Sequence, residues 1–304
     1  MIVKFIKEVI KKLFQDYFEK KIILEAKQLS IKNSKKKIIK NLSDVEFQVY
    51  SQWGEDGIID WLVKKIPQIP NIFVEIGTQD YTESNTRFLL INKNWDGYLL
   101  EANKQDVKKI KKQRIYWKYN LKVQNAFIDK KNVNFLIKKM RIPKKIGILS
   151  LDIDSTDYWI LRELSVLDPS IIICEYNSLF GLKKSVTVPY KKNFIRSKEH
   201  YSNLYFGASI NAFSDILKKK GYFLLGTNSA GNNAFFVKKI HWNKLKKIVL
   251  NKKIFRSKFR ESRNKKGNLT YLNKKDALKI IANKSLIDLK NRSQKKIIDL
   301  KLLD

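Results

Sequence analysis

The sequence is poor in cysteine, proline and glycine, and these shortages exclude several classes of protein. Its 304 residues include one cysteine, Cys174, with five prolines and eleven glycines. A single cysteine forms no internal disulfide, which favours a reducing compartment. No apolar run approaches the ~20 residues of a transmembrane helix, and the first residues lack a compact apolar segment with a small-residue cleavage site. We therefore expect a cytoplasmic protein.

Arginine is also scarce, although the chain is strongly basic. The formal net charge is +34, but only 9 of the 63 basic residues are arginine. A basic surface favours nucleic acid or an anionic membrane as partner, whereas phosphate and base recognition favours the arginine fork. The lysine excess, with many isoleucines and asparagines, is typical of an AT-rich genome. We therefore do not expect a nucleic-acid partner, and a functional basic surface stays the alternative.

The charge is concentrated at the two ends of the chain. The net charge is +8 over residues 1–40, +11 over 41–240 and +15 over 241–304. Nearly all the glycines and every candidate strand lie in the middle. This distribution predicts a basic amphipathic helical extension at 1–44, a central domain at 45–240 and a basic helical extension at 241–304.

Each extension contains a predicted helix. Apolar residues recur at helical spacing from Ile2 to Phe18, with lysines on the opposite face. This helix can dock on its own domain or on a second subunit, which would make a homo-oligomer. Alternatively, residues 1–24 contact the inner face of an anionic membrane as a peripheral anchor. At the other end, a helix is predicted over 274–289.

Short apolar runs alternate with helical segments through the middle of the chain. The predicted strands are 72–76, 97–100, 122–128, 146–153, 171–174, 222–225 and 234–237. The predicted helices are 53–65, 86–92, 104–111, 132–140, 158–167 and 208–220. This alternation indicates an α/β, Rossmann-like, doubly wound sheet. A turn rich in glycine and asparagine at 226–233 makes the last two strands a hairpin, so we expect seven strands, five parallel plus a terminal antiparallel hairpin.

Polar residues follow the ends of five of these strands. They are Glu75 and Gly77, then Glu101, then Asn125, then Asp152, Asp154 and Asp157, and finally Glu175 and Asn177. In open parallel sheets, ligands bind beyond the carboxyl ends of the strands. The sequence therefore predicts a ligand site at this edge.

Several short motifs occur in a fixed order between residues 50 and 239. They are SQWGEDG at 51–57, VEIG at 74–77, ESNT at 83–86, WDGYLLE at 95–101 and LSLDID at 149–154, followed by DYW at 157–159. In this order they resemble class I S-adenosylmethionine-dependent methyltransferases, near the FkbM-like group. The resemblance implies S-adenosylmethionine as cofactor and O-methylation of a sugar, glycan or related small acceptor, in polysaccharide biosynthesis.

The resemblance also implies a cofactor-binding set. It comprises Gln52, Glu75, Gly77, Thr78, Glu101, Asn125, Ala126 and Asp152. Glu101 would accept both ribose hydroxyls, Asn125 and Ala126 would lie by the adenine, and Asp152 would take the methionine ammonium. Glu75 and Gly77 would shape the loop that approaches the cofactor.

One departure concerns that loop. The related pattern is E-x-G-x-G-x-G, whereas residues 75–81 read EIGTQDY and keep only the first glycine. The sequence also lacks the glycine motifs of nicotinamide-binding proteins and of P-loops. Two alternatives stay open: a catalytically degenerate, methyltransferase-like binding module, and an RNA-binding methyltransferase.

Two routes for removing the acceptor proton also stay open. In one, Asp154, Glu175 and Asn177 hold Mg²⁺, which lowers the pKa of the acceptor hydroxyl. In the other, His200 is the general base. His200 lies in the long segment 178–206, whose tyrosines suit the face of a sugar.

Overall fold

The computed structural model describes residues 2–258 and 261–302; in the first helix, the side chains of residues 2–13, 15 and 16 lie outside this description. The predicted apolar and basic faces at 2–13 therefore lie outside the described residues. In the described part of the chain, no helix has the length and apolarity to cross a membrane.

Helices and strands alternate through the middle of the chain, as predicted. The helices are α1 (Ile2–Ser34), α2 (Glu55–Lys65), α3 (Arg87–Lys93), α4 (Lys104–Lys112), α5 (Arg114–Lys118), α6 (Val133–Lys139), α7 (Asp157–Glu163), α8 (Arg196–Glu199), α9 (Ile210–Lys219), α10 (Lys239–Ile248) and α11 (Lys274–Ile280). The strands are β1 (Ile72–Ile76), β2 (Asp96–Glu101), β3 (Leu121–Asn125), β4 (Lys145–Leu151), β5 (Asp168–Glu175), β6 (Val186–Thr187), β7 (Tyr222–Thr227), β8 (Asn233–Lys238), β9 (Ser285–Asp288) and β10 (Ser293–Lys296).

Seven strands form one sheet in the order β3-β2-β1-β4-β5-β8-β7. Its neighbouring strands are parallel except where β8 pairs with β5 and β7. This confirms the predicted Rossmann-like, doubly wound sheet of seven strands, including the terminal antiparallel hairpin. The chain runs outward from β1 to β3 and then returns to β4, so a switch point lies between β1 and β4, where such sheets bind ligands.

The sheet is buried on both faces because its side chains alternate between two layers. In β1, Phe73 packs into one layer, whereas Val74 and Ile76 pack into the other. Helices α6, α7 and α9 cover the layer of Val74, and α2, α3 and α10 cover the layer of Phe73. Continuous apolar strands are expected for a sheet covered in this way.

The second half of α1 docks on the central domain. Ala26, Ser30 and Asn33 are buried on its inner side. The Lys64 ammonium donates to the Ser30 carbonyl at 3.0 Å, and the Asn33 amide donates to the Val45 carbonyl at 3.0 Å. The structure therefore shows a docked helix over this half.

The C-terminal segment differs from the expected helix at 274–289. Helix α11 ends at Ile280, and β9 and β10 follow; β9 pairs with β10 and with β6, a short strand between β5 and α9. Leu286 and Asp288 are buried on one side of β9, while β10 has no apolar residue. Such short strands depend on their partners for pairing and leave no periodic signal in the sequence.

The ends of β1 and β4 approach each other unusually closely at Gly77. This residue has a φ of +82°, and a Cβ there would lie 1.7 Å from the carbonyl oxygen of Asp152. The Asp152 amide also donates to the Ile76 carbonyl at 3.0 Å. Only a residue without a side chain fits where the two backbones approach so closely.

We expect Gly77→Ala to lower the free energy of unfolding by about 2–4 kcal/mol, because it adds a backbone clash to left-handed strain. Gly221→Ala is the matched control, since Gly221 has a φ of +85° and open space around its Cβ position. That variant should lose about 1 kcal/mol from strain alone. Urea unfolding measures both values, and equal losses would contradict the steric explanation.

Candidate active site

Three adjoining clefts lie along the carboxyl ends of the central strands. The first has an open volume of about 730 Å³ and is lined in part by Gly77, Glu101 and Ala126. The second shares Gly77, Gln79, Asp152 and Asp154 with it. The third adjoins the second through Glu175, Arg196 and Glu261. The three clefts therefore lie at the predicted edge of the sheet.

Glu101 ends β2 and fixes the loop that follows β1. Its Oε2 accepts hydrogen bonds from the Thr78 and Gln79 amides at 2.9 and 2.8 Å, and its Oε1 accepts one from the Asn103 amide at 2.7 Å. Glu101 is buried and lines the first cleft. Oε1 accepts one hydrogen bond from the protein and so keeps the capacity to accept a second.

The same loop keeps the backbone of a glycine-rich loop without the glycines. Gln79 and Tyr81 stand where the related pattern has its second and third glycines, and their φ angles are +48° and +62°. Tyr81 is fully buried and bonded to the Thr86 hydroxyl at 3.0 Å, while Gln79 lines the first two clefts. The loop therefore adopts the left-handed geometry that glycine favours.

Glu75 organises the ESNT motif. Its carboxylate accepts hydrogen bonds from the Ser84 hydroxyl at 2.7 Å, the backbone N–H of Asn85 at 3.1 Å and the Thr86 hydroxyl. Burial raises the pKa of Glu75, while these donors oppose the rise. Glu75 lines the second cleft, so it shapes the site mainly by holding the loop before α3.

Gln52 lines the second cleft, and the motif around it ties α2 to the β7–β8 hairpin. The buried Glu55 accepts hydrogen bonds from the side-chain amides of Asn228 at 2.6 Å and Asn233 at 2.8 Å. These partners lie far along the chain, so sequence reasoning missed the role of Glu55.

Of the two neighbouring residues Asn125 and Ala126, only Ala126 lines a cleft. Asn125 is exposed and its amide donates to the carbonyls of Glu101 and Ala102 at 3.0 and 2.9 Å. It is not among the residues that line the three clefts. Ala126 and Phe127 line the first cleft instead, and they give it apolar surface.

A cluster of three carboxylates lies in the second cleft. One carboxylate oxygen from each of Asp152, Asp154 and Glu175 lies within 4.8 Å of the others. Burial, and then the charge of Asp154, raise the pKa of Asp152. Burial, and then the charge of Asp152, raise the pKa of Glu175 well above its usual range. Neighbouring carboxyls of this kind retain a proton at pH values where isolated ones have lost it.

Arg196 closes this cluster, and no motif in the sequence pointed to it. Its guanidinium binds the Asp154 carboxylate and reaches Glu261 Oε2 at 3.0 Å. Its Nε donates to the Asn203 carbonyl at 2.6 Å, and its Cζ atom lies 3.8 Å from the centre of the Phe206 ring. Arg196 therefore joins β4, the segment 178–206 and the C-terminal segment.

The other predicted members of the site lie elsewhere. The Asn177 amide donates to the carbonyls of Leu204 and Phe206 at 3.0 Å, so Asn177 lines the third cleft and does not join the carboxylates. His200 Nδ1 pairs with the Ser202 hydroxyl at 2.7 Å, and His200 is not among the residues that line the three clefts. Burial, and then Lys284, lower the pKa of His200.

The carboxylate cluster suits a divalent cation in its chemistry, because Mg²⁺ prefers carboxylate oxygens. In this structure, however, Arg196 already binds the Asp154 carboxylate. A cation at this position would have to share or replace that ion pair.

Comparison with known proteins gives only distant similarities. No protein-family model matches the chain, and no curated protein matches it. Among solved structures, the N-terminal domain of EvdMO1 with SAH bound is 11% identical, with a TM-score of 0.41 over 72% of this chain and 94% of that one. A S-adenosylmethionine-dependent methyltransferase from Clostridium acetobutylicum is 10% identical, with a TM-score of 0.37 over 60% and 90%. Similarities of this size do not bear on activity.

We expect Arg196→Ala to lower the free energy of unfolding by about 2–4 kcal/mol, because it leaves partly buried carboxylates without their cationic partner. It should also speed amide exchange in residues 200–206 and 261–273, which Arg196 joins. Arg162→Ala is the control, since Arg162 pairs with Glu163 on the surface, and it should lose about 1 kcal/mol or less. Urea unfolding and hydrogen exchange measure these effects; unchanged exchange in both segments would contradict the role of Arg196.

Proposed function

We propose that this chain is an S-adenosylmethionine-dependent methyltransferase acting on a hydroxyl of a sugar, a glycan or a related small polar acceptor. The observation that carries the proposal is the pair of clefts that share Gly77, Gln79, Asp152 and Asp154 at the switch point. The first cleft offers apolar walls and Glu101, which suit an adenosine. The second offers carboxylates, which suit the ammonium and sulfonium groups.

The charge of the second cleft supports this ligand over phosphate-bearing ones. Its lining includes Glu75, Asp152, Asp154, Glu175 and Glu261. Arg196 is the cation in that lining, and it is already paired. Carboxylates attract a sulfonium and repel a diphosphate or an RNA backbone. The structure therefore favours S-adenosylmethionine over a nicotinamide dinucleotide, and a small acceptor over RNA.

The third cleft supports a polar acceptor with apolar faces. It brings Asn177 and Asn232 together with Leu204, Phe206 and Leu272. Amide groups beside apolar side chains suit the hydroxyls and the ring faces of a sugar. Because this cleft adjoins the carboxylate cluster through Glu175, an acceptor there would lie next to the proposed methyl donor.

For the chemistry, we propose the Asp152–Glu175 pair as the proton acceptor in place of His200. S-adenosylmethionine supplies an activated methyl group, so the protein must align the acceptor oxygen and take its proton. Because the pKa values of both carboxyls are raised, each is a stronger base than an ordinary carboxylate, which favours removal of the acceptor proton. His200 lacks a place in the clefts.

We expect isothermal titration to show that the chain binds S-adenosylmethionine, and that Glu101→Gln weakens binding about 10- to 100-fold through the loss of charged hydrogen bonds. Glu163→Gln, at an exposed carboxylate, is the matched control and should bind as the wild type does. Absence of binding at millimolar cofactor by the folded protein would contradict the proposal and favour the degenerate binding module. Circular dichroism checks that each variant is folded.

The preference for S-adenosylmethionine over S-adenosylhomocysteine should rise with pH. Ionisation of Asp152 and Glu175 adds negative charge, which favours the sulfonium but not the neutral thioether. Since both pKa values are raised, this charge is lost as the pH falls through the raised values. In Glu175→Gln the preference should fall by about tenfold at high pH.

Titrations with Mg²⁺ and with a chelator test whether Mg²⁺, and not the sulfonium, binds the carboxylate cluster. If Mg²⁺ binds there, it lowers the preference for the sulfonium in the wild type but not in Glu175→Gln. A preference that does not change with pH in the wild type would contradict the proposed position of the sulfonium.

A further inference from the structure

The side of α1 that points away from the domain carries exposed apolar residues. We call this side the outer face; it comprises Phe14, Tyr17, Phe18, Leu24 and Ile31. Phe14 is 59% exposed and Phe18 is 53% exposed. The buried residues Ala26, Ser30 and Asn33 lie on the opposite side of the helix. Docking therefore fixes α1 in the orientation that turns its aromatic residues to the outside.

The aromatic residues of the outer face form a cluster. The ring centres of Phe14 and Phe18 lie 6.4 Å apart, and those of Tyr17 and Phe18 lie 5.8 Å apart. Single exposed apolar residues are common, but contiguous exposed patches mark interaction surfaces. The outer face is such a patch.

A second exposed aromatic lies on an element joined to α1. Glu19 of α1 lies 3.9 Å from the guanidinium of Arg87, which donates to the Gln113 side chain at 2.8 Å. Gln113 immediately precedes α5, where Trp117 is 72% exposed beside Arg114. Arg87 thus links α1 to the segment that leads into α5.

Basic residues surround these aromatic residues. Exposed lysines lie on the outer face at Lys21 and Lys32 and beside it at Lys20 and Lys27, and α4 has exposed lysines at Lys108, Lys111 and Lys112. Residues 1–40 carry a net charge of +8. Aromatic rings that enter the headgroup region, with lysines beside them, are typical of helices that lie on anionic membranes. A second copy of the chain would instead bring like charges together.

We propose that the outer face of α1, together with α4 and α5, binds the surface of an anionic phospholipid bilayer. The aromatic residues enter the interface, and the lysines remain at the headgroups. The lysines favour an anionic surface, and the aromatic cluster favours a lipid interface. The proposal does not depend on the proposed methyl transfer, because none of its residues lines the three clefts.

Co-sedimentation of the full chain with vesicles tests the proposal. We expect the wild type to pellet with vesicles of phosphatidylcholine and phosphatidylglycerol, and much less with phosphatidylcholine alone. Phe14→Ser with Phe18→Ser should lower the partition coefficient about tenfold or more, because two rings no longer enter the interface. Trp117→Ser should lower it severalfold.

Exposed apolar residues elsewhere supply the matched control. Phe135 on α6 is 65% exposed and Ile298 is 63% exposed, and their change to serine should leave pelleting unchanged. Equal pelleting of the wild type and the Phe14/Phe18 variant would overturn the proposal, as would equal pelleting with both vesicle types. A wild-type dimer in sedimentation equilibrium that this variant dissociates would also overturn it, because the face would then bind a second copy.

Discussion

The close approach of Gly77, just after β1, to Asp152, just after β4, sets the geometry of the whole site. Beyond their last paired residues, Ile76 and Leu151, the two strands remain in backbone contact through the Asp152 amide. The Gly77 amide in turn donates to the Leu100 carbonyl of β2 at 3.0 Å. Three strand ends are thereby locked together. Gly77 and Asp152 line both of the first two clefts, so the relative position of these clefts follows from this close approach.

The electrostatics of the site are opposite in sign to those of the chain as a whole. The protein carries a net charge of +34, yet its second cleft is lined by carboxylates from the ends of β1, β4 and β5 and from the C-terminal segment. Bringing such groups together is costly, and the structure limits the cost in two ways. Hydroxyl and amide donors hold Glu75, and the Arg196 guanidinium pairs with Asp154 and Glu261. Asp152 and Glu175 keep raised pKa values instead, which leaves them free to respond to a cationic ligand.

Sequence reasoning predicted the seven-stranded sheet because its strands are apolar runs buried on both faces, and burial of this kind leaves a local signal. It missed α5, β6, β9 and β10, which are short and depend on their neighbours. It also placed Asn125 in the cofactor site, although the last residue of an edge strand here turns its amide to nearby carbonyls. Arg196 was missed for a related reason: its partners Asp154 and Glu261 are brought to it by the fold and not by sequence proximity.

The missing glycines show how a motif and the geometry behind it can separate. Glycine is common in such loops because it adopts positive φ at little cost, but other contacts can hold the same backbone. Here the Glu101 carboxylate binds the amides of Thr78 and Gln79, and the buried Tyr81 anchors the end of the loop. These contacts compensate for the strain at Gln79 and Tyr81, whose φ angles are +48° and +62°. The loss of glycines therefore does not by itself indicate a degenerate site. In exchange, Gln79 places a polar side chain between the first two clefts, where a glycine could offer none.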